Sequence, residues 1–539
     1  MAVAPGRDGD VGVDVAIVGA GFAGLYMLHR CRQQGLAATV IEAGDDVGGT
    51  WYWNRYPGAR CDVESLEYSY GFDEDLQQEW EWTERYAGQP EILRYLQHVA
   101  DRFDLRRDIR FGTRVVAATF DDPTTTWRVR PDRGSDVVAR FLVMATGCLS
   151  SANTPEIEGA GSFRGRTLHT GRWPAEGVDL AGQRVGVIGT GSSGVQAIPV
   201  IAEEAAHLTV FQRTPCYAVP AWNGPLDPAE QAAVKADYAS LRAANRAMFS
   251  AFGGRVERRH TRSALEVDEA ERQAELERRW AHGGLTFLAA FNDLLLDPAA
   301  NEVARQFVIA KLREIVHDPE VARRLTPEHV IGCKRLCVDS GYWATFNRPN
   351  VTLVDLRETP IEAITPTGIR TSGGEHPLDV IVYATGFDAM TGALSRIDIR
   401  GVGGQRLTEA WAAGPRTYLG LMTRGFPNLF LVAGPGSPSV LANMVEAIQH
   451  HVEWIGDCLA ALDALGLARI EPELDAQDRW VEHVNEVAAL TLFTTCSSWY
   501  LGANVPGKTR VFMPLPGFPS YVEACEQVVL DGYRGFIRR

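Results

Sequence analysis

The chain lacks an excess of positive charge and an N-terminal targeting pattern, and each absence argues against a class of protein. Lysine and arginine total 53 against 68 aspartates and glutamates, for a net charge of −15. This balance argues against nucleic acid or an anionic membrane as the main partner. Residues 1–10 show neither a basic start nor an apolar core. We therefore expect no secretory signal and a cytoplasmic location.

A cysteine framework is also missing. The nine cysteines are scattered along the chain, and no pair has the two-residue gap typical of metal or redox motifs. Cys333 and Cys337, the closest pair, are separated by three residues. We therefore expect reduced thiols and no metal site.

Long apolar runs that could cross a membrane are lacking as well. The stretch 425–445 carries no charge over 21 residues, but it contains Pro427, Pro435, Pro438 and three glycines. Proline interrupts a helix by removing a donor and clashing with the preceding turn. The stretch is therefore predicted to be a buried strand and loop rather than a membrane span.

What the chain does have is two Gly-x-Gly-x-x-Gly loops. The first, built on Gly19, Gly21 and Gly24, follows an apolar run and leads into a helical pattern over 25–34. The next predicted strand, 38–41, ends at Glu42. A carboxylate about 20 residues beyond such glycines binds ribose hydroxyls. This unit therefore predicts a site for an unphosphorylated adenosine ribose, as in FAD or NAD.

The second loop predicts a different nucleotide. It consists of Gly189, Thr190, Gly191, Ser192, Ser193 and Gly194. The strand that follows, 208–211, leads into Gln212 and Arg213, where the first unit has its glutamate. A guanidinium can bind a 2′-phosphate through two hydrogen bonds, which points to NADP. A chain with an FAD-type site and an NADP-type site is expected to move hydride between them.

Both units end in a buried strand that closes in Ala-Thr-Gly, at 145–147 and 384–386. The repeat predicts an α/β fold with two Rossmann-like dinucleotide-binding domains. We expect the FAD domain over 1–148 and 387–539, and the NADP domain over 149–386 with a helical insertion at about 227–330. The two crossings, 149–160 and 387–394, are candidate hinges.

Two further stretches narrow the chemistry. One is GGTWYWNRYPGARCD at 48–62, and the other is FRGRTLHTGRWP at 163–174. Taken alone, His169 is more often a structural histidine than a catalyst, and Asp62 could simply pair with Arg60 or Arg55. Together, however, the stretches match the fingerprints G-G-x-W-x-x-x-x-[FY]-P-G-x-x-x-D and F-x-G-x-x-x-H-x-x-x-W-P without a departure. The chain thus resembles the type I Baeyer–Villiger monooxygenases.

The resemblance runs from residue 13 to the C-terminus. It is greatest with the phenylacetone and steroid monooxygenase branch, in the segments VFQR at 210–213, GPGSP at 434–438 and WYLGANVPGK at 499–508. It implies FAD and NADPH as cofactors and a ketone and O2 as substrates. In this family NADPH reduces the flavin, O2 adds to form a C4a-peroxyflavin, and this peroxide converts the ketone to an ester or lactone.

The resemblance also implies roles for individual residues. Arg335 would supply the positive charge that the anionic oxygen species needs, Asp62 would orient it, and His169 would couple domain movement to catalysis. The remaining implied cofactor contacts are Gly49, Thr50, Trp51 and Asp62 for the flavin, Arg213, Thr214 and Lys334 for the 2′-phosphate, and Trp499 for the bound nicotinamide nucleotide.

The substrate and the reaction leave alternatives open. Val440, Leu441 and Met444 either form a wall of the ketone pocket or pack beneath the flavin. The first reading favours aryl-alkyl, bulky cyclic or steroid-like ketones. A flavoprotein that hydroxylates nitrogen or sulfur would use the same two nucleotide sites, and so would an NADPH-flavin reductase or oxidase. A nucleotide-sensing protein without catalytic activity is a further alternative. The sequence does not indicate the oligomeric state.

Overall fold

The computed structural model describes residues 10–256, 261–503 and 515–539. Within these ranges the strands are β1 (Val11–Val18), β2 (Ala38–Ile41), β3 (Ile109–Arg110), β4 (Val115–Asp121), β5 (Thr126–Pro131), β6 (Val137–Met144), β7 (Arg166–His169), β8 (Arg184–Ile188), β9 (His207–Gln212), β10 (Ala218–Pro220), β11 (Cys337–Asp339), β12 (Val351–Asp355), β13 (Ile361–Thr365), β14 (Gly368–Thr371), β15 (Gly374–Pro377), β16 (Val380–Tyr383), β17 (Asp398–Arg400), β18 (Leu429–Leu431), β19 (Ile470–Pro472) and β20 (Phe536–Arg538).

The α-helices in the same ranges are α1 (Phe22–Gln33), α2 (Thr50–Trp53), α3 (Glu74–Glu79), α4 (Gln89–Arg102), α5 (Ser192–Glu204), α6 (Pro228–Ala236), α7 (Tyr238–Arg246), α8 (Glu269–His282), α9 (Pro298–Ile315), α10 (Pro319–Leu325), α11 (Tyr342–Thr345), α12 (Gly392–Ser395), α13 (Leu407–Ala410), α14 (Met444–Ala464), α15 (Leu474–Ala489) and α16 (Phe518–Leu530).

The first glycine loop belongs to an eight-stranded sheet of order β17-β4-β5-β6-β1-β2-β3, in which β18 also pairs with β6. Successive side chains of β1 point to opposite faces of this sheet. Val15 and Ile17 join the core under α1 and α14, whereas Ala16 and Val18 join the core on the other face. Strands β17 and β18 come from beyond residue 387. The C-terminal part of the chain therefore returns to the first sheet.

The second glycine loop belongs to a five-stranded parallel sheet of order β12-β9-β8-β16-β7. Its inner strands β8 and β16 are apolar on both faces, as expected of a parallel sheet covered on both sides. In β16, for example, Val380 and Val382 pack in one core, and Ile381 and Tyr383 pack in another. The predicted α/β class with two Rossmann-like sheets is confirmed.

Five helices, α6 to α10, lie between β10 and β11 of the second unit. The predicted helix start at Asp297-Pro298 is confirmed, because the Asp297 carboxylate accepts hydrogen bonds from the N–H groups of Ala299 and Ala300 at the first turn of α9. The segment after α7 contacts the first unit. The Gly253 N–H donates to the buried carboxylate of Glu67 at 2.9 and 3.1 Å.

The two chain crossings between the sheets lie side by side. The Asn153 N–H donates to the Gly386 carbonyl at 2.9 Å, and the Asp388 N–H donates to the Ser151 carbonyl at 2.8 Å. The crossings therefore form a short two-stranded link, and their action as hinges stays a prediction.

The charge-free stretch 425–445 forms strand β18, a loop and the first turn of α14, as predicted. Among the described residues we find no helix with both the length and the apolar character needed to cross a membrane.

Candidate active site

The first glycine loop is shaped by close backbone contacts. Gly19 has a φ of +103°, and a Cβ there would lie 2.6 Å from the Ala145 carbonyl oxygen. Helix α1 follows, and no side chain caps its N-terminus. Its first N–H groups therefore stay open to an anionic group such as a pyrophosphate. Gly21 and Gly49 lie against each other, since a Cβ on Gly21 would be 3.2 Å from the Gly49 Cα.

Glu42 lies buried at the end of β2, beside this loop. Its carboxylate oxygens accept hydrogen bonds from the N–H groups of Ala20 and Gly44, both at 2.6 Å. Burial raises the pKa of Glu42, although these hydrogen bonds oppose the shift. The side chain is thus fixed at the position where a ribose-binding carboxylate is needed.

The residues after Gly49 form the short helix α2. Thr50 at its start is exposed, and Trp51 is buried with its indole N–H donating to the Tyr68 hydroxyl at 3.3 Å. The structure therefore places Gly49, Thr50 and Trp51 directly beside the first glycine loop.

The second glycine loop repeats this arrangement, except that its middle glycine, Gly191, has no neighbouring segment packed against it. Gly189 has a φ of +109°, and α5 begins after Gly191 without a side-chain cap. A Cβ on Gly191 would meet nothing within 4 Å, so the loop faces open space where a dinucleotide can approach. The Thr190 hydroxyl donates to the Thr214 carbonyl at 3.0 Å, which ties the loop to the segment after β9. The residues present fit a second dinucleotide.

Two cations meet beside this second loop. Arg213 is exposed just after β9, and Lys334 is half-buried. The pKa of Lys334 is lowered, first by burial and then by the positive charge of Arg213. Among the described residues we find no carboxylate paired with either cation. Two cations without a carboxylate partner favour binding of an anion such as the 2′-phosphate of NADP.

Arg335, the next residue along the chain, forms a bidentate ion pair with Asp62. Its Nε and Nη2 donate to the two carboxylate oxygens at 2.8 and 2.9 Å, and its Nη1 donates to the Val440 carbonyl at 2.9 Å. Burial alone would lower the pKa of Arg335, but Asp62 and the Tyr500 hydroxyl raise it overall. The guanidinium is therefore a fixed cation.

The simpler pairing of Asp62 with a neighbouring arginine is wrong. The Arg60 guanidinium donates to Glu84 at 2.9 Å, and the Arg55 Nε donates to the Tyr52 carbonyl. Asp62 instead pairs with an arginine 273 residues away. A partly buried ion pair of this kind contributes little to stability, because desolvation offsets much of the attraction between the charges. Its position beside the apolar cluster that contains Val440 therefore suggests a functional role.

His169 lies at the end of β7, against the link between the two sheets. Its Nδ1 accepts a hydrogen bond from the Gly171 N–H at 2.9 Å, so the Nε2 carries the proton and donates to the Asn153 carbonyl at 3.3 Å. The Thr385 hydroxyl lies 3.4 Å from the same Nε2. Burial lowers the pKa of His169. The ring thus contacts one crossing through Asn153 and the other through Phe387, whose ring centroid lies 6.4 Å away. Its role in coupling domain movement stays a prediction.

The three predicted pocket residues lie in one apolar cluster next to Arg335. Val440 is buried, whereas Leu441 and Met444 are partly buried. This cluster also contains Cys148, Leu149, Leu295, Met390, Ala488, Phe493, Trp499, Tyr500 and Leu501. Because the Val440 carbonyl binds Arg335, the predicted substrate segment and the predicted catalytic cation are directly joined.

The expectation that all cysteines are reduced is wrong in this structure. Cys333 and Cys496 form a disulfide between residues 163 positions apart in sequence. Sequence spacing could not indicate this pair, since it depends on how the second unit meets the segment after α15. The other seven cysteines are free and buried.

The Cys333–Cys496 disulfide can be tested in solution by counting reactive thiols. Under denaturing conditions without a reductant, we expect seven reactive thiols per chain, corresponding to the seven free cysteines. After reduction, all nine cysteines of the sequence are expected to react. Titration with a thiol reagent measures both numbers. Nine thiols before reduction would contradict the disulfide.

Some contacts near Arg335 were not anticipated. The Val440 carbonyl accepts a hydrogen bond from the Arg335 guanidinium, and the Ser497 carbonyl accepts one from Lys334. The nearby Tyr500 hydroxyl contributes to the raised pKa of Arg335. Tyr500 lies in the segment 499–508. The family resemblance of that segment was the only sequence feature that pointed to this part of the site. Residues 504–508 of that segment lie outside the described residues.

Two dinucleotide loops, an FAD-type glutamate and an NADP-type cation pair define a flavoprotein that also binds a pyridine nucleotide. In agreement, residues 16–241 match the family described as pyridine nucleotide-disulphide oxidoreductase. This match gives the broad class of enzyme, and full-length relatives define the narrower family.

A Baeyer–Villiger monooxygenase from Pseudooceanicola batsensis is 43% identical over 530 residues, which covers 97% of this chain and 96% of the relative. A phenazine N-monooxygenase from Lysobacter antibioticus is 42% identical and covers 97% of this chain and 96% of its own length. A solved structure of oxidized steroid monooxygenase bound to NADP is 56% identical, with a TM-score of 0.93 and coverage of 98% and 99%. The chain belongs to the Baeyer–Villiger monooxygenase family and is an FAD-containing, NADPH-dependent oxidoreductase.

Proposed function

We propose that this enzyme inserts one oxygen atom of O2 next to the carbonyl of a bulky ketone, giving an ester or lactone. The observation that carries the proposal is the Arg335–Asp62 ion pair, with bonds of 2.8 and 2.9 Å, beside the apolar cluster around Val440. Bound FAD would accept hydride from NADPH and, once reduced, react with O2. The protein then has to stabilise negative charge and exclude water.

Arg335 meets the first need. Its charge is permanent, and its orientation is fixed by Asp62 and by the Val440 carbonyl. A cation oriented before the reaction stabilises developing negative charge without a reorganisation cost. The apolar cluster meets the second need, because it offers few polar groups to hold water beside the guanidinium.

NADPH is held, in this proposal, by the open N-terminus of α5, by Arg213 after β9 and by Lys334 before β11. Gly191, Ser192 and Ser193 place N–H groups toward the pyrophosphate, while Arg213 and Lys334 bind the 2′-phosphate from two sides. His169, in contact with both crossings, adjusts the angle between the sheets as the nucleotide moves from reduction to oxygenation.

The apolar wall supports a large ketone. Val440, Leu441 and Met444 present only apolar side chains around Arg335, and such a wall selects by size rather than by polar recognition. The 56% identity to a steroid monooxygenase supports the same class. We therefore infer aryl-alkyl, bulky cyclic or steroid-like ketones as substrates.

A ketone panel tests this substrate class. Phenylacetone, progesterone, a long-chain cyclic ketone and cyclohexanone would be offered with NADPH and air, and esters quantified by mass spectrometry. We expect higher kcat/KM for the three larger ketones. A clear preference for cyclohexanone would contradict the proposed substrate class while leaving the reaction intact.

A substitution in the apolar surface formed by Val440, Leu441 and Met444 tests its role in substrate selection. Leu441→Ala removes apolar contact area, and one methylene-sized change is worth about 1–3 kcal/mol in such a pocket. We expect the ratio of kcat/KM for progesterone to that for phenylacetone to change about tenfold, with FAD reduction by NADPH unaffected. Leu465→Ala, at an exposed leucine beyond α14, is the matched control. An unchanged ratio in both variants would favour packing beneath the flavin.

Oxidation of a ring nitrogen is a second candidate. The observation in its favour is the 42% identity to a phenazine N-monooxygenase over 96% of that relative's length. Adding phenazine and a thioether to the ketone panel distinguishes oxidation of a ring nitrogen from oxygenation of a ketone. N-oxide formation faster than any ester formation would favour this second function.

A further inference from the structure

A disulfide ties the segment 496–503 to the second nucleotide unit. Cys333 and Cys496 lie 163 positions apart in sequence, and their Cα atoms are 6.1 Å from each other. The next residue on each side is joined as well, because the Lys334 ammonium donates to the Ser497 carbonyl. One covalent bond and one hydrogen bond therefore connect this segment to the residues that precede β11.

The two ends of the disulfide differ in their surroundings. Cys333 is fully buried and follows Ile331, whose N–H and carbonyl are both bonded to the Asn301 side chain, at 3.1 and 2.9 Å. Cys496 is only half-buried, and the adjacent residues on both sides of it are exposed. The Cys333 end is therefore fixed in the second unit, whereas the Cys496 end lies at the surface, within reach of a dissolved thiol.

The segment also covers part of the apolar cluster at the site. Trp499, Tyr500 and Leu501 belong to this cluster, which contains Leu441 and Met444 as well. If the disulfide opened, fewer bonds would hold these side chains over the cluster, and water would enter beside them more readily. The state of the disulfide therefore bears on the exclusion of water that the proposed reaction needs.

Lys334 is the residue through which the disulfide acts on the coenzyme. An ammonium group has three N–H donors, and the Ser497 carbonyl takes one of them, which leaves two for a phosphate. The disulfide keeps this carbonyl beside the ammonium, because Ser497 directly follows Cys496 in sequence. Lys334 is thus oriented before NADPH binds, and an oriented side chain loses less conformational freedom on binding.

We propose that the Cys333–Cys496 disulfide is a site of thiol–disulfide exchange, at which a dithiol reductant releases the segment 496–503 and lowers the affinity for NADPH. The inference rests on the proposed contact between Lys334 and the 2′-phosphate. The oxidised form binds NADPH tightly and directs its electrons to the ester. The reduced form binds NADPH more weakly and loses part of the electrons to H2O2.

The exchange begins at the accessible sulfur. A thiolate of the dithiol attacks the sulfur of Cys496 and forms a mixed disulfide, and the S–S bond to Cys333 breaks. The Cys333 sulfur leaves with the bonding electron pair and takes up a proton. The second thiol of the reductant then attacks the mixed disulfide, so that Cys496 also leaves as a thiol. The protein gains two electrons and two protons, and the dithiol is oxidised to a cyclic disulfide.

Treatment of the folded holoenzyme with dithiothreitol is the first test. After removal of the reagent and denaturation, we expect nine reactive thiols instead of seven. In the reduced holoenzyme, the dissociation constant for NADP⁺ measured by calorimetry should rise about two- to tenfold, as for loss of the preorganisation of one side chain. Hydrogen exchange of the peptide 492–503, followed by mass spectrometry, should quicken. Neither of these two measurements needs turnover.

Two variants separate the disulfide from other effects of the reagent. Cys333→Ala/Cys496→Ala cannot form the bond. With or without dithiothreitol, it should match the reduced wild type in NADP⁺ affinity, in exchange of 492–503 and in a lowered amount of ester per NADPH. Cys458→Ala removes a free, buried cysteine of α14, and it should respond to the reagent as the wild type does.

Seven thiols after dithiothreitol treatment of the folded enzyme would overturn the exchange site. Unchanged NADP⁺ affinity and unchanged hydrogen exchange in the reduced enzyme would overturn it as well. Faster exchange with unchanged NADP⁺ affinity would overturn the link to the coenzyme. An oxidised wild-type enzyme that makes no ester from any ketone would instead contradict the proposed function, and the thiol count and the NADP⁺ affinity would still decide this inference.

Discussion

We expect the Arg335→Ala variant to form no ester, while NADPH still reduces its bound FAD. The variant removes a fixed cation from a site where negative charge develops, and loss of one such group typically costs about a hundred- to thousandfold in rate. Hydride transfer does not require this cation, since the NADP contacts proposed for Arg213 and Lys334 remain. Stopped-flow absorbance measures the reductive step, and product analysis measures the ester.

Arg335→Lys is the matched variant. It keeps the charge but cannot form the bidentate bonds to Asp62, so we expect intermediate ester formation with increased H2O2. Comparable ester formation in Arg335→Ala and wild type would remove Arg335 from its role. Loss of flavin reduction in Arg335→Ala would show that the cation acts earlier, in nucleotide binding.

Arg213→Ala weakens the binding of NADPH about ten- to hundredfold and the binding of NADH little. A hydrogen bond to a charged group contributes about 1.5–3 kcal/mol, and only NADPH carries the 2′-phosphate that the guanidinium binds. Lys334 remains as a second cation, which limits the loss. Dissociation constants for both coenzymes, measured by fluorescence or calorimetry, give the comparison.

Arg348→Ala is the control for net charge, because Arg348 is an exposed arginine of the same unit. It should affect neither coenzyme, provided that long-range attraction is screened at physiological salt. Equal losses of NADPH and NADH affinity in Arg213→Ala would mean that this arginine does not read the phosphate.

Local patterns in the sequence were enough to predict the two nucleotide units. Glycines at fixed spacing are needed where a strand turns tightly into a helix, and a Cβ at Gly189 would lie 2.5 Å from the Ala384 carbonyl oxygen. Glu42 and Arg213 follow their strands directly, so their positions follow from the βαβ geometry. Such features depend on residues close in sequence and are therefore visible without a structure.

Contacts between distant segments were not visible in this way. The Cys333–Cys496 disulfide and the Lys334–Ser497 bond join positions 163 residues apart. The Arg335–Asp62 pair was reached only through a family resemblance, and reasoning from the residues alone offered the wrong partners, Arg55 and Arg60. No periodicity or spacing encodes such pairs, because they form only when the two sheets and the segment after α15 come together.

The central claim is that this chain couples NADPH oxidation to insertion of one oxygen atom from O2 into a ketone. The most direct test is turnover of phenylacetone with purified enzyme, NADPH and oxygen-18 gas, with NADPH, ester and H2O2 all quantified. We predict about one ester per NADPH consumed, with a single labelled oxygen in the ester. NADPH consumption matched by H2O2, with no labelled ester from any ketone, would contradict the account.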